Sequence, residues 1–204
     1  MPSGYLSTLV TRLASLVTDV SISSPANNDV LRYNSSTGKW TNTANTPWMQ
    51  LGRTTLGADG DTITVSSLTA STYLAFNAFL IDNAAAIQPT ITFNGDTGNN
   101  YSMRASVNGG ADTTGTSAAS INPAISTANR MFWVGTIINV AAQEKILVSQ
   151  FGHRGGAGAA NAPAKAEIIG KWVNTTDQIT SITFTNAGAG DFLAGSVVTV
   201  YGSN

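Results

Sequence analysis

The sequence predicts an all-β protein, an antiparallel jelly-roll-like β-sandwich with an extended N-terminal arm that contains a short helix and short strands. Charged residues make up only 10 % of the chain, against about 25 % in average proteins, and Ser, Thr, Asn and Gly take their place. Apolar segments of strand length recur with turn residues between them. Past residue 20 no segment has helical periodicity. We expect the arm over residues 1–48 and the β-sandwich body over residues 49–204.

Composition excludes several classes of function. The 204 residues carry a net charge of −1 with ten scattered basic residues, so no basic stripe is present to neutralise phosphates and no nucleic-acid partner is predicted. With no cysteine there is no disulfide or thiol nucleophile. No window approaches the roughly 18 apolar residues of a membrane span. Arg12 and Asp19 interrupt the apolar residues near the start, and no cleavage pattern follows, so no signal peptide or membrane partner is predicted.

The first 20 residues carry an apolar stripe at helical spacing. Such a stripe on a short arm requires a partner surface. Three outcomes stay open for this segment: a helix folded onto its own body, a helix docked on another subunit, or disorder. Our prediction for docking onto another subunit rests on six residues: Leu6, Leu9, Val10, Leu13, Leu16 and Val17.

Residues 20–48 no longer show helical spacing of apolar residues and instead predict three short strands. Strand-like segments begin at Val20, Val30 and Lys39, with turn clusters over 25–29 and 34–38. A Thr- and Asn-rich linker is expected over residues 42–47. Three strands of about four residues cannot bury a core alone. We therefore expect them to wind against identical copies from other chains.

This stretch, SISSPANNDVLRYNSSTGKWTN, resembles a short repeat of tailed-bacteriophage fibre and head-surface proteins. In that repeat a turn precedes an x-V-L-x-Y-N strand, and a second turn precedes W-x-N. The resemblance covers about 20 residues and implies a virion surface protein that forms a homotrimer, with trimerisation assigned here to Val30, Leu31, Tyr33 and Trp40. The matching residues are Asp29, Val30, Leu31, Tyr33, Asn34, Lys39, Trp40 and Asn42.

The body is predicted to hold about nine strands separated by turns. Phe76 and Phe79 are expected to face the core, the Asn- and Gly-rich segment 94–100 is expected to form a turn, and residues 108–128 are expected to form a long loop. Trp133 and Trp172 lie within apolar strands and are expected in the core or in a subunit interface. The predicted strands are 62–66, 73–81, 90–93, 101–107, 131–140, 145–151, 165–173, 179–185 and 197–201.

The last 26 residues are predicted to form a closing β-hairpin. Strand-like residues 179–185 and 197–201 flank the glycine-rich segment 187–190, which suits a chain reversal. The β-branched run over 197–200 suits a strand with little solvent on either side. The pattern F-x-A-G-S-x-V-x-V-Y-G over 192–202 also resembles the closing strands of phage surface β-sandwiches, and FNGDTGNNY over 93–101 occurs in similar proteins.

No catalytic, cofactor-binding or metal-binding residue is predicted. His153 is the single histidine; a Ser–His–Asp hydrolase would need it beside a serine such as Ser149, and no G-x-S-x-G elbow is present. Asp96 offers one carboxylate among asparagines, too little charge for tight calcium binding. Glu144 and Glu167 are the carboxylates that a glycosidase pair could use, but we expect Glu144-Lys145 to mark a hairpin turn and Glu167 to face solvent.

The leading hypothesis is a structural virion protein of a tailed phage. It would be a homotrimeric decoration or cement protein on the capsid exterior, with its arm docked across subunits of the major capsid protein. The alternative is a short tail fibre or receptor-binding protein that recognises host surface glycans, with Trp48 as one candidate contact. An enzyme is the third class, and we predict that the protein is not one.

Overall fold

The computed structural model describes residues 18–27, 29–43, 48–82 and 85–204, and within these ranges the chain forms strands and no helix. The predicted all-β class is therefore confirmed for the described part of the chain. The predicted helix over Leu6–Val17 lies outside the described residues. The chain divides into two compact units, Met1–Pro47 and Trp48–Asn204.

The first unit contains a small three-stranded sheet. Its strands are β1 (Val20–Ser21), β2 (Val30–Asn34) and β3 (Lys39–Thr43). Strand β3 lies in the middle, antiparallel to β2 and parallel to β1. The turn before β3 closes through N–H groups of Thr37 and Gly38 that donate to the Asn34 carbonyl. The three predicted strands are thus confirmed, although β3 includes residues 42 and 43, which the sequence placed in a linker.

The second unit consists of two antiparallel sheets, one of eight strands and one of three. The order is β4-β14-β6-β10-β11-β12-β8-β9 in the large sheet and β5-β13-β7 in the small one. The strands are β4 (Met49–Thr55), β5 (Thr62–Val65), β6 (Tyr73–Leu80), β7 (Pro89–Phe93), β8 (Tyr101–Val107), β9 (Thr113–Ala118), β10 (Met131–Ile138), β11 (Lys145–His153), β12 (Ala164–Trp172), β13 (Ile182–Asn186) and β14 (Val197–Ser203).

Aromatic side chains join the two sheets. Phe184 of the small sheet packs edge-on against Phe76 and Trp133 of the large sheet, with ring centroids 5.3 and 5.6 Å apart. Gly135 lies in the same layer, where a Cβ atom would come within 2.6 Å of the Phe76 ring. The core between the sheets therefore has no spare volume at this point, as expected for a close-packed interior. Trp133 and Trp172 are both fully buried, as predicted.

One buried amide fixes three segments around the core. Asn139 follows β10 and has no exposed surface. Its Nδ2 donates to the carbonyls of Ser71 and Ile179, and its Oδ1 accepts from the Ile179 N–H at 2.6 Å. Because an unpaired buried polar group is costly, this arrangement specifies where the three segments meet.

The predicted closing hairpin is wrong. The strands before and after the glycine-rich segment form β13 and β14, but they belong to different sheets and do not pair. Strand β13 pairs with β5 and β7, whereas β14 lies between β4 and β6. The connection therefore crosses from one sheet to the other. The expectation that residues 197–200 meet little solvent is confirmed, since Val198, Thr199 and Val200 are buried.

Three smaller predictions about the body also need correction. Residues 113–118 form β9 on the edge of the large sheet, so the segment 108–128 is not one long loop. Phe79 does not face the core; it lies three residues from Phe76, and successive side chains on a strand point to opposite faces. Residues 49–55, which we left outside the predicted strands, form β4.

Candidate functional surfaces

The sheet of the first unit, formed by β1, β2 and β3, exposes its apolar side chains. Of the four residues assigned to trimerisation, Val30 is half-buried and Leu31, Tyr33 and Trp40 are exposed. Tyr33 and Trp40 lie opposite each other on β2 and β3, and their rings meet edge to face at 5.7 Å. No side chain in residues 18–27 and 29–43 is fully buried. The described residues of this sheet therefore form no buried core among themselves.

Hydrogen bonds rather than apolar packing hold that sheet together. Asn42 Nδ2 donates to an Asp29 carboxylate oxygen at 2.7 Å and to the Ser23 carbonyl, and its Oδ1 accepts from the Ser23 N–H. Asp29 also accepts from the Ala26 N–H, and this bond, together with that from Asn42, lowers the pKa of Asp29. The phage-repeat resemblance includes both Asp29 and Asn42, and the structure gives them a shared role in joining β3 to the segment between β1 and β2.

The six residues predicted to dock on another subunit lie outside the described residues. They are Leu6, Leu9, Val10, Leu13, Leu16 and Val17. Their assignment stays a prediction from the spacing of the sequence.

The second unit carries an apolar surface that the sequence analysis did not identify. The eight-stranded sheet buries one face against the small sheet, and its other face, here called the outer face, is exposed. The outer face is centred on β6, β10, β11 and β12. Its exposed large apolar residues are Tyr73, Phe79, Phe132, Ile138, Val148 and Ile169.

A groove of about 690 Å³ opens at one end of the outer face. The groove is lined by apolar residues, among them Phe79, Phe132 and Val134, and by Gly152. Three cationic residues also line it: Arg130, Arg154 and Lys165. Arg154 donates to Asn129 at 3.0 Å, and Lys165 forms an ion pair with Glu167 at 2.8 Å.

The structure does not bring the candidate hydrolase residues together. His153 Nδ1 accepts a hydrogen bond from the Gly155 N–H at 3.1 Å, and burial lowers the pKa of this histidine. Ser149 is buried four residues away on the same strand, about 13 Å along it, and its Oγ contacts the Ile168 carbonyl. His153 and Ser149 therefore do not form the hydrogen bond that a hydrolase would need between its base and its nucleophile.

The two glutamates also lie apart from a common site. Glu144 is in the turn between β10 and β11 and forms an ion pair with Lys171 at 3.0 Å. Glu167 lies on the outer face of β12, exposed as predicted, and pairs with Lys165. Each carboxylate thus has a lysine partner of its own.

Lys145, the first residue of β11, has an unexpected structural role. It directly follows the turn between β10 and β11, yet it is buried. Its Nζ donates to the carbonyls of Ala141, Gln143 and Asn174 and lies 5.8 Å from the centre of the Trp172 ring. Burial lowers the pKa of this lysine, and the nearby charge of Asp177 acts in the opposite direction.

Asp96, the residue considered for calcium, uses its carboxylate within the protein. The oxygens accept from the Trp172 indole, the Asn100 amide and the Gly98 N–H. Within residues 18–27, 29–43, 48–82 and 85–204 no group of three or more His, Asp or Glu residues is arranged to hold a metal ion. Nor do those residues contain a helix long and apolar enough to cross a membrane.

Comparisons with known proteins add no functional information. No protein-family model matches the chain, and no curated protein matches it. One solved structure, described as the crystal structure of HCR/D-Sa-GBL1/C, aligns with 85 % of this chain at 8 % sequence identity. The aligned part is 46 % of that protein's own length, and the TM-score is 0.25. A similarity this low carries no argument about fold or function.

Proposed function

We propose that this protein is a structural protein on the surface of a tailed-phage virion, a homotrimeric capsid decoration or cement protein. Its body would project outward as a jelly-roll-like sandwich built on the two packed sheets. Its arm would dock across subunits of the major capsid protein on the capsid exterior. The proposal includes no catalytic residue, cofactor or metal.

The observation that carries the proposal is the exposed apolar sheet of the first unit. Leu31, Tyr33 and Trp40 are between 42 and 58 % exposed in a sheet in which no described side chain is fully buried. Three short strands need an apolar face packed on something to be stable. Two identical copies would supply that surface, and the same residues carry the resemblance to the trimeric phage repeat.

The predicted docking residues supply the stabilising mechanism. The six large apolar residues between Leu6 and Val17 would each contribute roughly 1.5–3 kcal/mol if fully buried against the capsid, before the cost of ordering the arm. Three arms in one trimer would bind together and increase the overall affinity through their high effective concentration. Capsid subunits joined in this way would separate less readily.

Co-sedimentation with capsids that lack this protein tests the docking. The full chain with Leu9→Asp, Leu13→Asp and Leu16→Asp should no longer sediment with the capsids, because the predicted apolar stripe is lost. A control chain with Thr8→Asp and Ser15→Asp changes the polar positions of the same segment and should still bind. Equal binding of both chains would contradict docking through the apolar stripe.

A second candidate function rests on one exposed aromatic side chain. Trp48, at the start of the body, is 49 % exposed, and exposed tryptophans stack on sugar rings in many glycan-binding proteins. A short tail fibre or receptor-binding protein that recognises host glycans would use such a residue. Binding to a glycan array that is lost with Trp48→Ala would favour this function, whereas no binding by the intact chain would exclude it.

A further inference from the structure

The groove at the end of the outer face combines an apolar lining with a concentration of positive charge. Its volume of about 690 Å³ lies within the range of about 300–1,000 Å³ that small-molecule sites usually have. Three cationic side chains and one carboxylate line it, so the lining carries an excess of two positive charges. This excess occurs in a protein whose net charge is −1 and whose charged residues make up only 10 % of the chain.

A glycine in a row of larger residues keeps the groove open. Register places Phe79 opposite Phe132, Phe132 opposite Gly152, and Gly152 opposite Lys165. Directly opposed residues share one face of a sheet, so a side chain is missing between Phe132 and Lys165. A Cβ atom at Gly152 would lie 3.6 Å from the Ala164 carbonyl, an ordinary van der Waals contact. The surrounding atoms therefore leave room for a side chain at this position.

Two arginines lie side by side at this end of the sheet. Arg130 directly precedes β10, and Arg154 directly follows β11. Because Met131 pairs with His153, the arginines occupy the next two opposed positions beyond the last pair of the ladder, and both line the groove. Like charges at opposed positions destabilise a sheet. The fold thus contains a repulsion that a bound anion would relieve.

The excess charge of the groove belongs to these two arginines. Lys165 is neutralised by its ion pair with Glu167 at 2.8 Å. Within the part of the chain that the structure describes, the other ion pairs involve Arg104 and Lys171, and neither Arg130 nor Arg154 forms one. An anionic group in the groove would therefore meet two uncompensated guanidinium groups.

Hydrogen bonds hold one of the two guanidinium groups in place. Arg154 Nε donates to Asn129 Oδ1 at 3.0 Å, and Asn129 Nδ2 donates to Thr127 Oγ1 at the same distance. Thr127 is buried, and its backbone N–H and carbonyl both bond to Ile87. No described residue accepts a hydrogen bond from the terminal nitrogens of Arg154. Such a nitrogen pair matches the geometry of a carboxylate or a similar oxyanion.

Charge also distinguishes between possible occupants of the groove. A purely apolar segment would cover the aromatic residues but leave both arginines without a counterion. The apolar stripe between Leu6 and Val17 contains Arg12 and no acidic residue, so it would bring a further positive charge. A ligand that carries an anionic group on an apolar body complements both parts of the lining.

We propose that this groove is a binding site for a small amphiphilic anion, an organic acid with an apolar body. Arg130 and Arg154 bind the anionic group, and the apolar body lies against Phe79 and Phe132 in the space above Gly152. The inference does not rest on the proposed capsid function. It goes beyond that function by giving the body a ligand site of its own.

Fluorescence titration of the purified full chain with anilinonaphthalene sulfonate tests the site, because this probe is itself an aromatic body with one anionic group. Phenylnaphthylamine, which has the same aromatic body without the sulfonate, is the neutral comparison. We expect the sulfonate to bind at a saturable site at least about tenfold more tightly than the neutral amine, since charge-assisted hydrogen bonds are the strong ones. No saturable binding of the sulfonate would overturn the proposal.

A double substitution tests the two arginines. Arg130→Gln with Arg154→Gln should weaken sulfonate binding at least about tenfold and leave binding of the neutral amine unchanged. Arg53→Gln with Arg104→Gln is the matched control, because it removes two exposed positive charges that do not line the groove. It should leave both affinities nearly unchanged. Equal weakening of sulfonate binding by the two pairs would reduce the effect to net charge and contradict the site.

Filling the groove tests the place of the apolar body. Gly152→Leu puts a side chain between Phe132 and Lys165 and should weaken binding of both probes at least about tenfold. Gly57→Leu, where the new side chain has open space around its Cβ, is the control and should leave binding unchanged. Circular dichroism and thermal unfolding check that each variant retains the fold. Undiminished sulfonate binding by Gly152→Leu would place the probe elsewhere and overturn the proposal.

Discussion

Trp172 on β12 donates its indole N–H to the Asp96 carboxylate at 2.7 Å, which joins two parts of the chain 76 residues apart. Trp172 is fully buried, and Asp96 lies in the turn between β7 and β8. The same carboxylate accepts from Asn100 and Gly98. A turn that reads in the sequence as a weak calcium site is thus a structural connection between the large and small sheets.

Asp96→Ala should destabilise the second unit by about 1–3 kcal/mol, because it leaves the buried Trp172 N–H without an acceptor. Urea denaturation followed by tryptophan fluorescence measures the change. Asp112→Ala is the control: its ion pair with Arg104 is exposed, and such pairs contribute at most about 1 kcal/mol. Equal stability of the two variants would show that the indole bond contributes nothing specific.

The acid side of the stability profile should also depend on Asp96. Burial acts to raise the pKa of this carboxyl, but the hydrogen bonds from Trp172, Asn100 and Gly98 outweigh it and hold the pKa below its ordinary value of 3.8. The ionised form therefore stabilises the fold above that value, and this contribution is lost as pH falls through the folded-state pKa. Asp96→Asn should show a smaller loss of stability on acidification than the unmodified protein.

Tyr101 should make the folded protein less stable at alkaline pH. Its hydroxyl accepts from the Phe93 N–H at 2.9 Å, and burial raises its pKa from 10.0 to about 12. The folded state holds this proton while the unfolded state releases it, so stability falls as pH rises from 10 towards 12. Two pKa units correspond to about 2–3 kcal/mol.

Tyr101→Phe removes that alkaline dependence and provides the comparison. It should also cost about 1–3 kcal/mol at neutral pH, since the Phe93 N–H loses its side-chain acceptor. Urea unfolding at pH 8, 10 and 11 gives both quantities. If the free energy of unfolding changes with pH in the same way in Tyr101→Phe and in the unmodified protein, the raised pKa of Tyr101 is contradicted. Lys145 is present in both proteins, so its titration cancels in this comparison.

Asn139→Ala should be among the most destabilising single substitutions in the second unit. It leaves the Ile179 N–H and two carbonyls without their side-chain partner, and each such buried group costs about 1–3 kcal/mol. Asn99→Ala, in an exposed turn, should change stability by less than about 0.5 kcal/mol. Thermal and urea unfolding of the two variants should differ clearly; similar values would contradict the role given to the buried amide.

Gly135→Ala should destabilise the core by about 1–3 kcal/mol through overpacking. The added Cβ would lie 2.6–2.8 Å from the Phe76 ring and the Leu147 side chain. Gly57→Ala has open space around the new Cβ and should be neutral or slightly stabilising. Adding Phe76→Leu to Gly135→Ala should recover part of the loss, so a double-mutant cycle with no coupling would contradict the proposed clash.

Local patterns predicted the strands well because alternation and turn chemistry are properties of short segments. Strand β8 and the turn before it could be identified in this way, as could the burial of Trp133 and Trp172. Which strands pair is decided by packing across the whole unit, and residues 179–202 show the limit: their turn permits a hairpin, yet β13 and β14 enter different sheets. Strand β9 was missed because TTGTSA lacks large apolar residues.

The outer face was missed for a different reason. An apolar residue in a strand points to the core only when the chain covers the face on which that residue lies. Phe79 does not meet this condition, since its spacing from Phe76 places it on the opposite face of β6. Apolar residues at both odd and even positions of β10 are the signal in the sequence that indicates this second apolar face. The phage-surface hypothesis itself rests on the motif around Val30–Trp40 and stays a proposal.

Immunogold labelling of intact particles, with an antibody raised against residues 48–204, tests the central claim most directly. A decoration protein predicts gold distributed over the whole head of the particle, with no label on particles that lack the protein. Label confined to the end of the tail would contradict the capsid assignment and favour a fibre or receptor-binding protein. Complete absence of label from particles would contradict a virion surface protein altogether.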